Sequence, residues 1–252
     1  MSYEGTRRAG GINNLGICDE SWYSILRREY CGQEKPPLFI RPETEADHRA
    51  VEALTREAFW NLYAPGCYEH YLAHLIRGHK DFIPELDLVA EAEDGRLLGN
   101  VMYTRATLTD EAGNMREVLT FGPISVRPDC QRRGIGRALL EHSFREARRM
   151  GFGAIVIFGS PDNYVSRGFK SCARYQVCAE DGSFPAAMLV KELTPGFFDG
   201  RKWIYQESPA FQFDPACAEQ FDSRFPPMKK EERASQESFY IYSHSVIRMQ
   251  AE

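Results

Sequence analysis

The chain has 252 residues, 43% of them hydrophobic and 27% charged, with a formal net charge of −5. That composition excludes a disordered chain and offers no global basic field to recruit nucleic acid. No apolar run reaches the roughly 20 residues that a membrane-spanning helix needs. The seven cysteines are odd in number, form no C-x-x-C pair and follow no apolar leader, so they read as free thiols of a reduced, cytoplasmic protein.

In chain order, MSYEGTRRAGGINNLG is polar and glycine-rich. SWYSILRREY then spaces Trp22, Leu26 and Tyr30 as a short helix would, and Lys35-Pro36-Pro37 reads as a linker. Residues 1–37 are therefore expected to be an N-terminal extension. Cys18 and Cys31 lie in it without a further ligand set. LFIRP predicts a strand. Thr44 or Asp47 can cap the helix that follows, with Val51, Leu54, Ala58 and Phe59 on its apolar face. Beyond Pro65-Gly66, Tyr71, Leu72, Leu75 and Ile76 predict a second short helix. DLVAEAEDGRLLGNVMYTRATL reads as a hairpin turning at Asp94-Gly95. A strand is expected over Glu117–Val126 and a helix from about Gly136 to Met150, stopped by Gly151. The continuous apolar run AIVIFG marks a buried strand parallel to its predecessor, which makes a right-handed βαβ crossover. Two more strands are expected near Ser171–Cys178 and Ala187–Lys191. From Leu193 onward the sequence is rich in Pro and Phe with weak periodicity, and residues 194–252 read as an irregular C-terminal extension on or beside the domain.

The crossover holds the chemistry. QRRGIGRALL places two glycines where a strand hands over to a helix, and the exposed N–H groups and dipole of a helix start favour an anion. Arg137-Ala138 stands where a nucleoside-triphosphate loop needs Lys-Ser/Thr. Leu139 stands where a dinucleotide loop needs its third glycine. Both common nucleotide readings are therefore disfavoured.

Gln131, Gly134 and Gly136, after ISVRPDC and before the helix, resemble the acyl-coenzyme A loop of the GCN5-related N-acetyltransferase (GNAT) superfamily. GSPDNYVSRGFKSC resembles the corresponding segment of a YhbS-like branch, with Arg167 as a departure where an aromatic or apolar residue is usual. The resemblance runs from about Leu38 to Leu193. It implies an α/β (α+β) GNAT fold over 38–193: a mixed, mostly antiparallel twisted sheet, helices on both faces, and a V-shaped split between two central parallel strands. It also implies that Ile124, Ser125 and Val126 hold the pantetheine arm of acetyl-CoA, the co-substrate. Gln131, Arg132, Arg133, Gly134, Ile135, Gly136 and Arg137 would hold its pyrophosphate. Tyr164 would be the acid for the departing thiolate; its plain alternative is a packing aromatic.

The residues add their own physics. Pro123 cannot donate to a ladder, so pairing is expected to break there and leave room for a ligand arm. Glu69, Glu85, His70 and His74 are candidate bases for the attacking amine. His70 and His74 share a helix face as zinc ligands do, yet lack a third ligand, so no metal is expected. Trp60, Tyr63, Tyr68 and Tyr71 either line an acceptor pocket or pack in the core. The expected activity is transfer of an acetyl group from acetyl-CoA to a primary amine, on a small molecule or peptide, by direct attack. The alternative is a non-catalytic acyl-CoA sensor or scaffold. Nucleic acid and membrane are not expected partners, and monomer and homodimer both stay open.

Overall fold

β1 (Leu38–Pro42) is the strand that LFIRP predicts, the first element of a computed structural model that describes residues 37–248. The helix expected at SWYSILRREY, Cys18 and Cys31 lie outside the described residues. Thr44 N–H donates to Asp47 Oδ2 at 2.9 Å, so the two residues cap the entry to α1 (His48–Phe59) together. α1 buries Val51 and Leu54 against Val89 and Leu97. α2 (Glu69–Ile76) buries His70, Ala73 and Ile76, while Tyr71, Leu72 and Leu75 are only half-buried. The face that packs inward is thus not the most apolar one, because a later part of the chain covers the rest.

The hairpin β2 (Leu88–Ala92) and β3 (Leu97–Asp110) turns at Asp94-Gly95, where Gly95 takes φ +80°. β4 (Met115–Val126) leads through the glycine loop to α3 (Ile135–Arg149), then to β5 (Ala154–Phe158) and the short α4 (Pro161–Tyr164). The strand expected over Ser171–Cys178 is two short ones, β6 (Lys170–Ser171) and β7 (Val177–Cys178). A turn separates them and ends at Gln176 with φ +53°, a left-handed residue inside a run of strand-like composition. β8 (Met188–Glu192) follows.

The segment after Leu193 is more regular than its weak periodicity predicts. It carries β9 (Trp203–Gln206), α5 (Pro215–Asp222) and α6 (Ala234–Ser243). β9 is part of the central sheet: Thr107 to Asp110 of β3 pair with Gln206 to Trp203. Trp203 and Tyr205 are buried with Leu108 and Val118.

The sheet order is β1-β2-β3-β4-β5-β8-β6, with β9 beside the far half of β3 and β7 beside β9. Among the described strands only β4–β5 and β7–β9 run parallel. α3 covers one face, placing Leu139, Leu140, Phe144 and Ala147 on Leu88, Val101, Tyr103 and Ile155. α1 and α2 cover the other, with Ala73 and Ile76 against Met102. The expected mixed sheet with helices on both faces is the observed one.

Candidate active site

The site begins where β4 and β5 part. They share one register pair, Leu119 with Ile155. Beyond it β4 runs on to Val126 while β5 ends at Phe158, bonded on its other side to β8. A V-shaped split opens between them. On the opposite edge of β4 the pairing with β3 slips at Gly122-Pro123, between the pairs Val101–Ile124 and Tyr103–Phe121; the irregularity expected at the proline thus lies on the β3 edge and not on the edge that faces the split. Arg127 N–H donates to Leu98 O at 2.9 Å. By antiparallel alternation the peptide groups of Ile124 and Val126 then turn the other way, toward the split. Ser125 does not join them. Its hydroxyl donates to Thr55 Oγ1 at 3.0 Å in a buried network with Asn100, facing α1.

The loop lies at one end of this edge. Gln131 Nε2 donates to Val126 O at 3.2 Å and ties the loop to the strand. Arg132 at φ +61° and Gly134 at φ +90° both take the left-handed conformation, which turns successive N–H groups to one side. Gly134 stands at the N-cap of α3 with no side-chain cap, so the first-turn amides are open to a ligand. A Cβ at Gly136 would make only an ordinary contact, 3.5 Å from Val126 Cγ2. Packing within the protein therefore does not require glycine there; the bare backbone leaves room over the helix start. Arg132, Arg133 and Arg137 are exposed around the loop, and Arg137 Nε donates to Glu141 Oε1 at 2.6 Å. The donor set of open amides and arginines fits a pyrophosphate.

Tyr164 lies on the other arm of the V. Gly159 ends β5, Pro161 starts α4, and Gly168 at φ +85° turns the chain so that Phe169 enters the core. A Cβ at Gly159 would come within 2.5 Å of Tyr164 Cε2, so glycine lets the ring lie flat on the strand end. The ring packs 5.6 Å from Phe121 on β4 and 5.8 Å from Phe169. Burial pushes its hydroxyl well above the ordinary phenol range, so it stays protonated. Arg167, the departure in this motif, uses its carbonyl to accept from Lys191 Nζ at 2.7 Å, and the turn that holds Tyr164 is intact.

Residues 48–171 match the model of the Acetyltransferase (GNAT) family. Those residues form a GNAT domain. A curated relative, the uncharacterized N-acetyltransferase YjhQ of Escherichia coli K12, is 30% identical over 110 residues, covering 43% of this chain and 56% of that protein. The chain thus spans little more than half the length of that relative. In fold it resembles YhbS of Escherichia coli, solved in complex with CoA, with TM-score 0.61 at 20% identity over 73% of this chain and 98% of that one. A GNAT family acetyltransferase of Brucella melitensis, solved in complex with acetyl-CoA, superposes with TM-score 0.55 at 21% identity over 71% and 100%.

The candidate bases on this GNAT fold fall in different places. Glu85 is exposed at the turn before β2. His70 is fully buried between Phe221 and Phe225, with Nε2 3.1 Å from Asp222 Oδ1 and Nδ1 3.5 Å from Cys67 Sγ. The arrangement has the order of a Cys–His–Asp triad, but burial pushes the Cys67 thiol far up and the imidazole down, so neither group is activated. His74 meets Glu52 instead, at 3.0 Å, so the two histidines do not converge. Among the described residues no three His, Cys, Asp or Glu side chains gather as a metal site would need. Trp60 is structural: its indole N–H donates to Lys229 O at 2.9 Å and Arg56 covers its ring. Tyr68 and Tyr71 pack on Phe213 of the C-terminal segment. Tyr63 packs on Phe239 of α6 at 4.5 Å, and Tyr164, Tyr242 and Glu69 add to the burial that raises its phenol. Tyr242 and its helix α6 were not legible as site elements. Glu207, just past β9, has its carboxyl pushed up to about 7 by desolvation.

Proposed function

We propose that this chain is an acetyl-CoA-dependent N-acetyltransferase that acts on a primary amine. The observation that carries the reading is the split itself, with the open amides of the glycine loop at one end and Tyr164 across it. YhbS and the Brucella melitensis protein were solved with CoA and acetyl-CoA, and their fold is the one this chain adopts. Acetyl-CoA, as co-substrate, supplies an activated acetyl thioester. Ile124 and Val126 offer backbone groups to the pantetheine arm as an additional strand would. Residues 131–137, led by the amides at Gly134 to Gly136 and by Arg132 and Arg133, hold the pyrophosphate. The neutral amine forms the C–N bond and gives its proton to water, while the C–S bond breaks and the sulfur leaves as a thiolate that a nearby donor must stabilise. Tyr164 is that group. Its raised phenol holds the proton tightly, so it acts chiefly as a hydrogen-bond donor to the departing sulfur.

The test is thiol release from acetyl-CoA with a panel of primary amines, together with calorimetric CoA binding. Tyr164→Phe is expected to lower kcat by roughly 10²-fold, the low end for a positioned proton donor, with CoA affinity unchanged. An unaltered rate removes Tyr164 from the chemistry. CoA binding with no transfer to any amine in the panel would instead favour a sensing or scaffolding module.

A further inference from the structure

α2 shows its two sides to different neighbours. Ala73 and Ile76 pack inward on Met102 of the sheet. By helical spacing Tyr71, His74 and Leu75 turn the other way, where Tyr71 and His74 meet Phe221 of α5. α5 presents Cys217, Gln220 and Phe221, and the turn after it presents Arg224, a single stripe at i, i+3, i+4 and i+7. The two stripes do not close on each other. Between them lies a cavity of about 210 Å³, lined by these residues of α2, α5 and the turn. α2 stands between this cavity and the sheet, so the cavity is not part of the split between β4 and β5.

Its floor is aromatic and its rim is polar. The buried Phe221 ring lies 4.6 Å from His74 and 5.3 Å from Tyr71, and the Tyr71 and His74 rings stack at 6.4 Å. Arg224 is exposed at the rim, with its guanidinium 5.3 Å from the centre of the Phe221 ring. Among the described residues no hydrogen bond or ion pair holds that guanidinium. No carboxylate lines the cavity. The carboxylates on the neighbouring turns are already matched. Glu52 meets Arg77 at 3.2 Å and His74 at 3.0 Å, Asp222 meets Arg56 at 2.6 Å, and Asp214 accepts from Ala216 N–H at 2.9 Å. A guanidinium without an anion, set over aromatic rings, suits a flat carboxylate: the guanidinium takes both oxygens and the rings take the body. The volume equals the liquid share of about seven waters. It is smaller than the roughly 300 Å³ at which sites for drug-sized ligands begin, which leaves room for one ring with its carboxylate and not for a nucleotide.

We infer that the cavity between α2 and α5 is a second binding site, and that it takes a small aromatic carboxylate, with Arg224 as the partner of the carboxylate and Phe221, Tyr71 and His74 as the surface on which the ring lies. The inference does not rest on the transferase reading above. A ligand seated there joins α2 to α5 beside the place where His70 already meets Phe221 and Asp222. An aromatic amine of the same size is disfavoured, because it brings a second cation to Arg224.

The probe is benzoate, with benzamide as its uncharged counterpart and acetate as the carboxylate without a ring. Binding to the full chain is followed by saturation-transfer NMR in the presence of excess CoA, which occupies the arginines of the glycine loop. Benzoate is expected to bind about tenfold more tightly than benzamide or acetate. Arg224→Gln should weaken benzoate about tenfold and leave CoA affinity unchanged. Leu75→Trp, which fills the cavity from the α2 side, should abolish benzoate binding with the circular dichroism unaltered. A further readout needs no variant. Cys217 is a free, exposed thiol on the cavity wall, so benzoate should slow its alkylation by iodoacetamide, followed by peptide mass spectrometry, and acetate should not. Equal binding of benzoate and benzamide overturns the inference. So does an unchanged benzoate affinity in Arg224→Gln, and so does alkylation of Cys217 at the same rate with and without benzoate.

Discussion

Single glycines carry two separate burdens in this site. Gly134 needs its left-handed backbone at φ +90°, which any side chain would strain. Gly136 does not: it sits in the first turn of α3, and a Cβ there meets only Val126 Cγ2 at 3.5 Å. Alanine favours a helix over glycine by roughly 0.5–1 kcal/mol. Gly136→Ala is therefore expected to raise the melting temperature slightly and yet weaken CoA binding by about tenfold, equivalent to about 1.4 kcal/mol. Scanning calorimetry and titration calorimetry on the same variant read both signs. A stabilised protein with unchanged CoA affinity would show that nothing approaches the helix start closely. The glycine spacing was legible in the sequence because the loop, its strand and its helix are contiguous. The turn that places Tyr164 was legible for the same reason, since Gly159, Pro161 and Gly168 sit beside it in the chain.

At the scale of elements, what joins distant parts was harder to read. α2 packs on α5 through His70, whose ring lies 5.6 Å from Phe221 and whose Nε2 faces Asp222, itself bonded by Arg56 Nε at 2.6 Å. The spacing of His70 and His74 fits a ligand pair or a base as well as a core contact, and nothing local distinguishes them. The partners lie some 150 residues away in sequence. The consequence is measurable in pH. His70 is held below its ordinary value, first by burial; Asp222 pulls the other way and Arg56 adds to the depression. The unfolded chain thus binds a proton near pH 6.5 that the folded chain refuses until lower pH. Stability from this group is complete above the unfolded value and is lost as the pH falls from about 6.5 toward the folded value. Thermal melts at pH 8, 7, 6 and 5 are expected to show a falling midpoint below pH 7. His70→Gln should start from a lower midpoint at pH 8 and fall less steeply. Parallel curves for the two proteins would assign the acid loss to other groups. The split strand near Ser171–Cys178 was missed on similar grounds: Gln176 takes φ +53° without a glycine to announce it.

For the molecule as a whole, the C-terminal segment is not uniform. Through Phe225 it belongs to the core: Trp203, Tyr205, Ala210, Ala218, Phe221 and Phe225 are all buried. Its weak periodicity misled because β9 is only Trp203–Gln206, too short for an alternation to register, and its pairing partner on β3 lies far back in the chain. Beyond Pro226 the contacts change character. Lys229 O accepts from Trp60 Nε1 and Asn61 Nδ2, so this stretch still fastens the end of α1. α6 buries no residue completely; its own bonds run to Asn61 and Leu62, and Ser245 and Ile247 beyond it bond to Ala186 and Phe184. Two truncations should therefore part company. Ending the chain after Leu193 removes β9 and bares Leu108 and Val118, leaving an unpaired edge on a long strand; that protein is expected to be insoluble or molten. Ending it after Arg233 removes only α6 and the residues after it, with the bonds of Ser245 and Ile247 to Ala186 and Phe184. That protein is expected to keep its circular dichroism and its CoA affinity, and to raise KM for its acceptor amine about tenfold or more with a smaller change in kcat. A loss of CoA binding in the shorter cut would instead make α6 part of the cofactor cleft.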